Sequence, residues 1–116
     1  MKLSVAVCTF NGEKYISEQL NSIINQTLAV NEIIICDDQS SDSTIEIINS
    51  FIEKYPTLIK LYQNKINLNV NKNFEKAISF AKTLGAKRIY TYCLGENRAM
   101  QSLAKKQNLK VMLSHG

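Results

Sequence analysis

Two carboxylates stand side by side at Asp37 and Asp38, where the apolar run Ile33-Ile34-Ile35-Cys36 stops. A polar turn, Gln39-Ser40-Ser41, and then Asp42-Ser43-Thr44 follow. Acids so placed could accept hydrogen bonds from a ligand, or could do no more than solvate a strand end. The element beneath them bears on the choice. Three consecutive isoleucines without alternation predict a strand buried on both faces, which requires a parallel sheet covered by helices. The carboxyl end of such a strand is where open α/β sheets bind their ligands. Beyond the turn, Asp42 or Ser43 can cap a helix, and Ser43 with Glu46 has the spacing of a capping box.

The rest of the chain supplies matching elements. Lys2 to Thr9 predicts a first strand, and Asn11 and Gly12 a turn. Tyr15, Ile16, Leu20, Ile23 and Ile24 recur at helical spacing and predict a helix from about residue 13 to 25. A second strand spans Glu32 to Cys36, and a second helix turns Ile45, Ile48, Phe51 and Ile52 inward before Pro56. Leu58 to Gln63 predicts a third strand. Asn64 to Asn73, with five asparagines, reads as a loop crossing a sheet edge. A helix from Asn73 to Leu84 carries Phe74, Ala77, Ile78 and Ala81 inward, and Gly85 is a suitable stop. Lys87 to Leu94 makes a fourth strand, with Tyr90 and Tyr92 packed under helices. Asn97 caps a helix holding Met100, Leu103 and Ala104, and Lys110 to Leu113 makes a short fifth strand. Alternating strands and helices with short connections imply an α/β fold: three layers around a mostly parallel, doubly wound sheet.

The totals narrow the class. A chain of 116 residues with 45% hydrophobic content suits one small core. No apolar run approaches the roughly 20 residues of a membrane span, and the first residues enter a strand rather than a signal peptide. Three cysteines without close pairs indicate free thiols in a reducing cytoplasm, with Cys8 and Cys36 as packing residues near strand ends. No cysteine–histidine cluster suggests zinc. The net charge of +4 is unevenly spread: residues 1–80 hold 7 basic and 9 acidic side chains, residues 81–116 hold 7 basic and 1 acidic. The chain therefore changes character near residue 80, and the charge gives no ground for expecting a nucleic-acid partner.

Three ordered blocks carry a family resemblance. Ser4-Val-Ala-Val-Cys-Thr-Phe-Asn-Gly-Glu-Lys-Tyr-Ile16, Leu20-Asn-Ser-Ile-Ile-Asn-Gln-Thr27 and Ile35-Cys-Asp-Asp-Gln-Ser-Ser-Asp-Ser-Thr44 resemble the family 2 nucleotide-sugar glycosyltransferases. The likeness covers about residues 3–80, through Asn67-Leu-Asn-Val-Asn-Lys-Asn-Phe74. It implies the nucleotide-binding half of a GT-A, Rossmann-like fold. It also implies a UDP- or dTDP-sugar donor, and a glycan or lipid-linked acceptor in cell-surface polysaccharide synthesis. By this resemblance Asp38 accepts the N3–H of uracil or thymine as a charge-assisted bond. Phe10 lies beside the base, Cys8 and Thr9 line the pocket, and Asn11 and Asp37 support the turn. For Phe10, a purely structural place in the core is the alternative. Where the family pattern has glycine, Asn69 stands; asparagine tolerates positive φ, which would preserve a turn there.

The resemblance also implies what this sequence lacks. Such enzymes hold Mg or Mn with an Asp-x-Asp at the end of the fourth strand, and use a later acid to deprotonate the acceptor. Here the strand ends Cys93-Leu94-Gly95-Glu96-Asn97, and Glu96 is the only acid after residue 75. No catalytic base and no metal ligands are assigned, so the expectation is an incomplete or inactive transferase. Residues 81–113 are similar instead to the carboxyl-terminal strand–helix–strand of acetyl-CoA-dependent N-acetyltransferases. There Asn97 opens the helix and Asn108-Leu109 replaces a Gly-Phe turn, which suggests a fusion and a boundary near residue 80. Two other roles stay open: a non-catalytic module whose basic tail (Arg98, Lys105, Lys106, Lys110) meets an acidic partner, and a remnant acetyltransferase. An incomplete fold would expose a sheet edge or face and invite oligomers. The expected location is the cytoplasm, at most peripheral to the inner face of a membrane.

Overall fold

The computed structural model describes residues 2–26 and 29–95, and the backbone of residues 110–112. Five strands and three helices follow in chain order: β1 (Leu3–Phe10), α1 (Ile16–Ile24), β2 (Glu32–Asp37), α2 (Thr44–Lys54), β3 (Ile59–Gln63), α3 (Val70–Thr83), β4 (Arg88–Gly95) and β5 (Lys110–Met112). They form one sheet in the order β3-β2-β1-β4-β5. The first four strands run parallel, and β5 joins the edge antiparallel to β4. From β1 the chain winds outward through β2 to β3, then crosses back to place β4 on the other side of β1. The strand order thus reverses at β1, the switch point where open α/β sheets take ligands.

Side-chain parity divides the core. Val5, Val7, Ile33 and Ile35 face α1 and α2, packing with Ile16, Leu20, Ile23 and Ile48. Ala6, Ile34 and Cys36 face the opposite way, onto Ala77 and Ala81 of α3. Ile33, Ile34 and Ile35 are all fully buried, as a strand covered on both faces requires. Tyr90 and Tyr92 are half-buried against the first of these clusters.

The structure moves several expected boundaries. Helix α1 begins at Ile16 because Gly12 O takes the N–H groups of Tyr15 and Ile16 and turns residues 13–15 first. The Ser43–Glu46 capping box is not formed, since Ser43 makes no side-chain cap bond. Asp42 serves instead, its Oδ1 accepting from Thr44 N and Thr44 Oγ1. Helix α3 begins at Val70 rather than Asn73, because the Asn69 side chain accepts from Lys72 N. Asn69 has φ −82°, so it works as a helix cap and not as a positive-φ turn residue. The asparagine-rich segment crosses no sheet edge. It folds over the carboxyl end of β2, and α3 makes the crossing across the sheet face. The expected helix after Asn97 lies outside the described residues. Among those described, no helix is long and apolar enough to cross a membrane.

Candidate functional site

The carboxyl ends of β1 and β2 are tied together by the two acids, each in a different way. Asp37 is paired with Thr9 in the parallel ladder and shares its face of the sheet. Its Oδ1 accepts from Thr9 Oγ1 at 2.6 Å and from Ser40 Oγ, and its Oδ2 accepts from Ser40 N at 2.9 Å. The carboxylate therefore closes the turn in which Gln39 sits at φ 63°. Asn11, at φ 51°, completes the brace: its N–H donates to Ser40 Oγ and its Oδ1 accepts from Ser41 N. Gly12 N donates to Thr44 Oγ1, which fastens the β1 turn to the start of α2.

Asp38 points to the other face. Its N–H donates to Thr9 O, continuing the ladder by one step and bringing Asp38 level with Phe10. Its Oδ1 accepts from Leu68 N at 2.6 Å and from Asn64 Nδ2 at 3.0 Å. No described residue bonds Oδ2, and the residue as a whole is 4% exposed. Phe10 is half-buried against the Cys8–Cys93 cluster, on which Val70 and Phe74 also pack. The two side chains that the sequence assigns to a base thus share one face, next to the switch point.

Cys8 and Thr9 are placed differently. Both are fully buried. Cys8 lies beneath Phe10, and Thr9 faces the α1–α2 side with its hydroxyl committed to Asp37. A hydrogen bond with Cys93, together with burial, pushes the Cys8 thiol far above the ordinary range. Burial moves Cys36 up to about 11. These thiols are packing groups rather than nucleophiles.

Three side chains that the sequence reading passed over complete the setting of Asp38. Asn64 Nδ2 donates to Asn73 Oδ1 at 2.8 Å as well as to Asp38, and Asn73 Nδ2 donates to Cys36 O at 2.8 Å. Lys76 Nζ donates to Asn64 Oδ1 at 2.6 Å. The signal for Asn73 was its spacing: residues 73, 77 and 81 form one buried stripe of α3, and a polar member of such a stripe needs partners.

Asp42 gives the turn a pH dependence. Burial raises its carboxyl, but bonds from the Thr44 hydroxyl and from the N–H groups of Thr44 and Glu13 outweigh this and hold it below the usual range. A depressed folded value stabilises above the unfolded value of about 4 and is lost as pH falls through the folded one. The difference in urea midpoint between the wild type and Asp42→Asn should therefore be largest near neutrality and shrink below about pH 4.

The resemblance would place a metal at the end of the fourth strand. The place of the Asp-x-Asp is taken in sequence by Gly95-Glu96-Asn97, and Glu96 lies outside the described residues. Among those described, no group of three histidines, cysteines or acids is placed to hold a metal ion.

The profile of Glycosyl transferase family 2 matches residues 4–84. The chain belongs to this family. A putative glycosyltransferase, EpsE of Bacillus subtilis, is 35% identical over 80 residues, covering 69% of this chain and 29% of the relative. Staphylococcus aureus TarS 1–349 in complex with UDP superposes with a TM-score of 0.64 at 28% identity, covering 81% of this chain and 27% of that one. A Pyrobaculum calidifontis mannosyltransferase in complex with GDP-Man and Mn2+ superposes with a TM-score of 0.68 at 20% identity, over 91% of this chain and 32% of that one. That last likeness is one of fold, and the fold resembles GT-A glycosyltransferase structures. The chain spans less than a third of the length of these relatives. The comparisons lend no support to an acetyltransferase fusion, and Asn97 and Asn108-Leu109, on which that resemblance rested, lie outside the described residues.

Proposed function

We propose that this family 2 chain carries the donor-nucleotide site of a glycosyltransferase and binds the pyrimidine nucleotide of a UDP- or dTDP-sugar. One observation carries the reading. Asp38 and Phe10 share a face beside the switch point, and no described residue bonds Oδ2 of Asp38. A carboxylate acceptor beside an aromatic ring suits a base that offers an imide N–H. The UDP complex of TarS supports the same class of ligand. Nucleotide-sugar binding would take place on the cytoplasmic face of a membrane, with a glycan or lipid-linked acceptor. These 116 residues hold neither an Asp-x-Asp nor a later acid to act as base. We therefore assign them nucleotide recognition and no transfer step.

Titration with UDP, followed by amide NMR, tests the reading. Shifts should concentrate at Phe10, Asp38 and Leu68. Unchanged spectra at millimolar UDP would reject it. The alternative of a basic interaction module rests mainly on residues 98–106, outside the described part, and no observation favours it.

A further inference from the structure

We propose that Lys76 and Asn64 are positioning residues for the Asp38 carboxylate and so determine which nucleobase the strand end accepts. The proposal rests on the reading above that this strand end takes a pyrimidine nucleotide. Its basis is the direction of donation through a chain of groups that runs from the half-buried Lys76 to the buried Asn64 and Asp38. An ammonium has donors only. With Lys76 Nζ at 2.6 Å from Asn64 Oδ1, the amide oxygen of Asn64 must face the lysine. Its NH2 group must then face Asp38 Oδ1 and Asn73 Oδ1, as it does at 3.0 and 2.8 Å. Asn73 is fixed in turn by donating to Cys36 O, so it has only an acceptor to offer Asn64. Lys76 itself is held over the Phe80 ring, 5.7 Å from its centroid, and Phe80 packs on Tyr62.

The consequence falls on Asp38. Two donors, Leu68 N–H and Asn64 NH2, converge on Oδ1 and leave Oδ2 as the acceptor for a ligand. An acceptor in that position selects a base with an imide N–H, as in uracil, over one with a bare ring nitrogen, as in cytosine. Without the lysine, Asn64 Oδ1 loses its charged donor, and the amide is held only by the two acceptors Asp38 Oδ1 and Asn73 Oδ1. Held at one end only, the amide lets Asp38 Oδ1 drift from the Asn64 NH2 and from Leu68 N–H. Discrimination between the two bases would then fall, because the acceptor would no longer be held in place.

The test compares wild type, Lys76→Met, which keeps the aliphatic stem, and Lys76→Arg, which keeps the charge. UDP and CDP affinities are measured by calorimetry, and Leu68 amide hydrogen exchange by NMR without nucleotide. In Lys76→Met the ratio of UDP to CDP affinity should fall by about tenfold, the order expected for loss of one well-placed charged hydrogen bond. Leu68 exchange should quicken by a similar factor. Lys76→Arg should restore most of both. A purely structural lysine would weaken UDP and CDP equally, and an unchanged ratio with wild-type Leu68 protection overturns the proposal. If wild type binds neither nucleotide, the donor-site reading fails, and with it the selectivity. Leu68 exchange in the same variants then still decides whether Lys76 positions Asp38.

Discussion

Replacing Asp37 by alanine should cost about 3–4 kcal/mol of folding stability, measured by urea denaturation of the two proteins. The side chain is 1% exposed and accepts three hydrogen bonds, from the Thr9 hydroxyl, the Ser40 hydroxyl and the Ser40 N–H. Alanine removes the acceptor and leaves the donors, of which Thr9 Oγ1 is buried in the strand ladder where water does not replace the lost partner. It also releases the clasp around Gln39, whose backbone sits at φ 63°. Asparagine keeps the shape and one acceptor, so Asp37→Asn should cost about half as much. Thr9→Val removes one donor together with its need for a partner, and should cost only about 1 kcal/mol. A loss below about 1 kcal/mol for Asp37→Ala would show that the turn stands without its carboxylate.

The same residues show what could be read from the chain alone. Ile33-Ile34-Ile35 announced a strand covered on both faces, and the sheet followed from it, because an apolar run without alternation has few other solutions. The division of labour between Asp37 and Asp38 follows from strand parity: adjacent residues point to opposite faces, so one braces the turn and the other faces α3. Helix starts were less legible. Asp42 and Ser43 both carry oxygens able to cap α2, and Asn69 and Asn73 lie near the start of α3; where each helix is capped depends on backbone geometry that three-residue spacing does not fix. The setting of Asp38 was least legible. Asn64, Asn73 and Lys76 are 9 and 12 residues apart from end to end of their bonds, across a loop and a helix turn. In sequence they look like members of a polar stretch, and only the crossing of α3 over β2 brings them together. The antiparallel pairing of β5 with β4 likewise depends on a partner chosen in space.

The base-reading role proposed for Asp38 makes a sharper prediction than loss of binding. Asp38→Ala should weaken UDP by about 10- to 100-fold, the worth of one hydrogen bond to a charged acceptor, read by calorimetry. Asp38→Asn should do something different. Leu68 N–H and Asn64 Nδ2 both donate to Oδ1, so the new amide must turn its oxygen to them. Its NH2 then occupies the place of Oδ2 and presents a donor where an acceptor stood. A donor there repels the N3–H of uracil and complements the bare N3 of cytosine. UDP affinity should fall at least as far as in the alanine variant, while CDP affinity should rise above that of wild type. The inversion separates recognition from bulk, since asparagine keeps the volume of the carboxylate and alanine does not. If both variants lose UDP and CDP in parallel, Asp38 supports the strand end without reading a base.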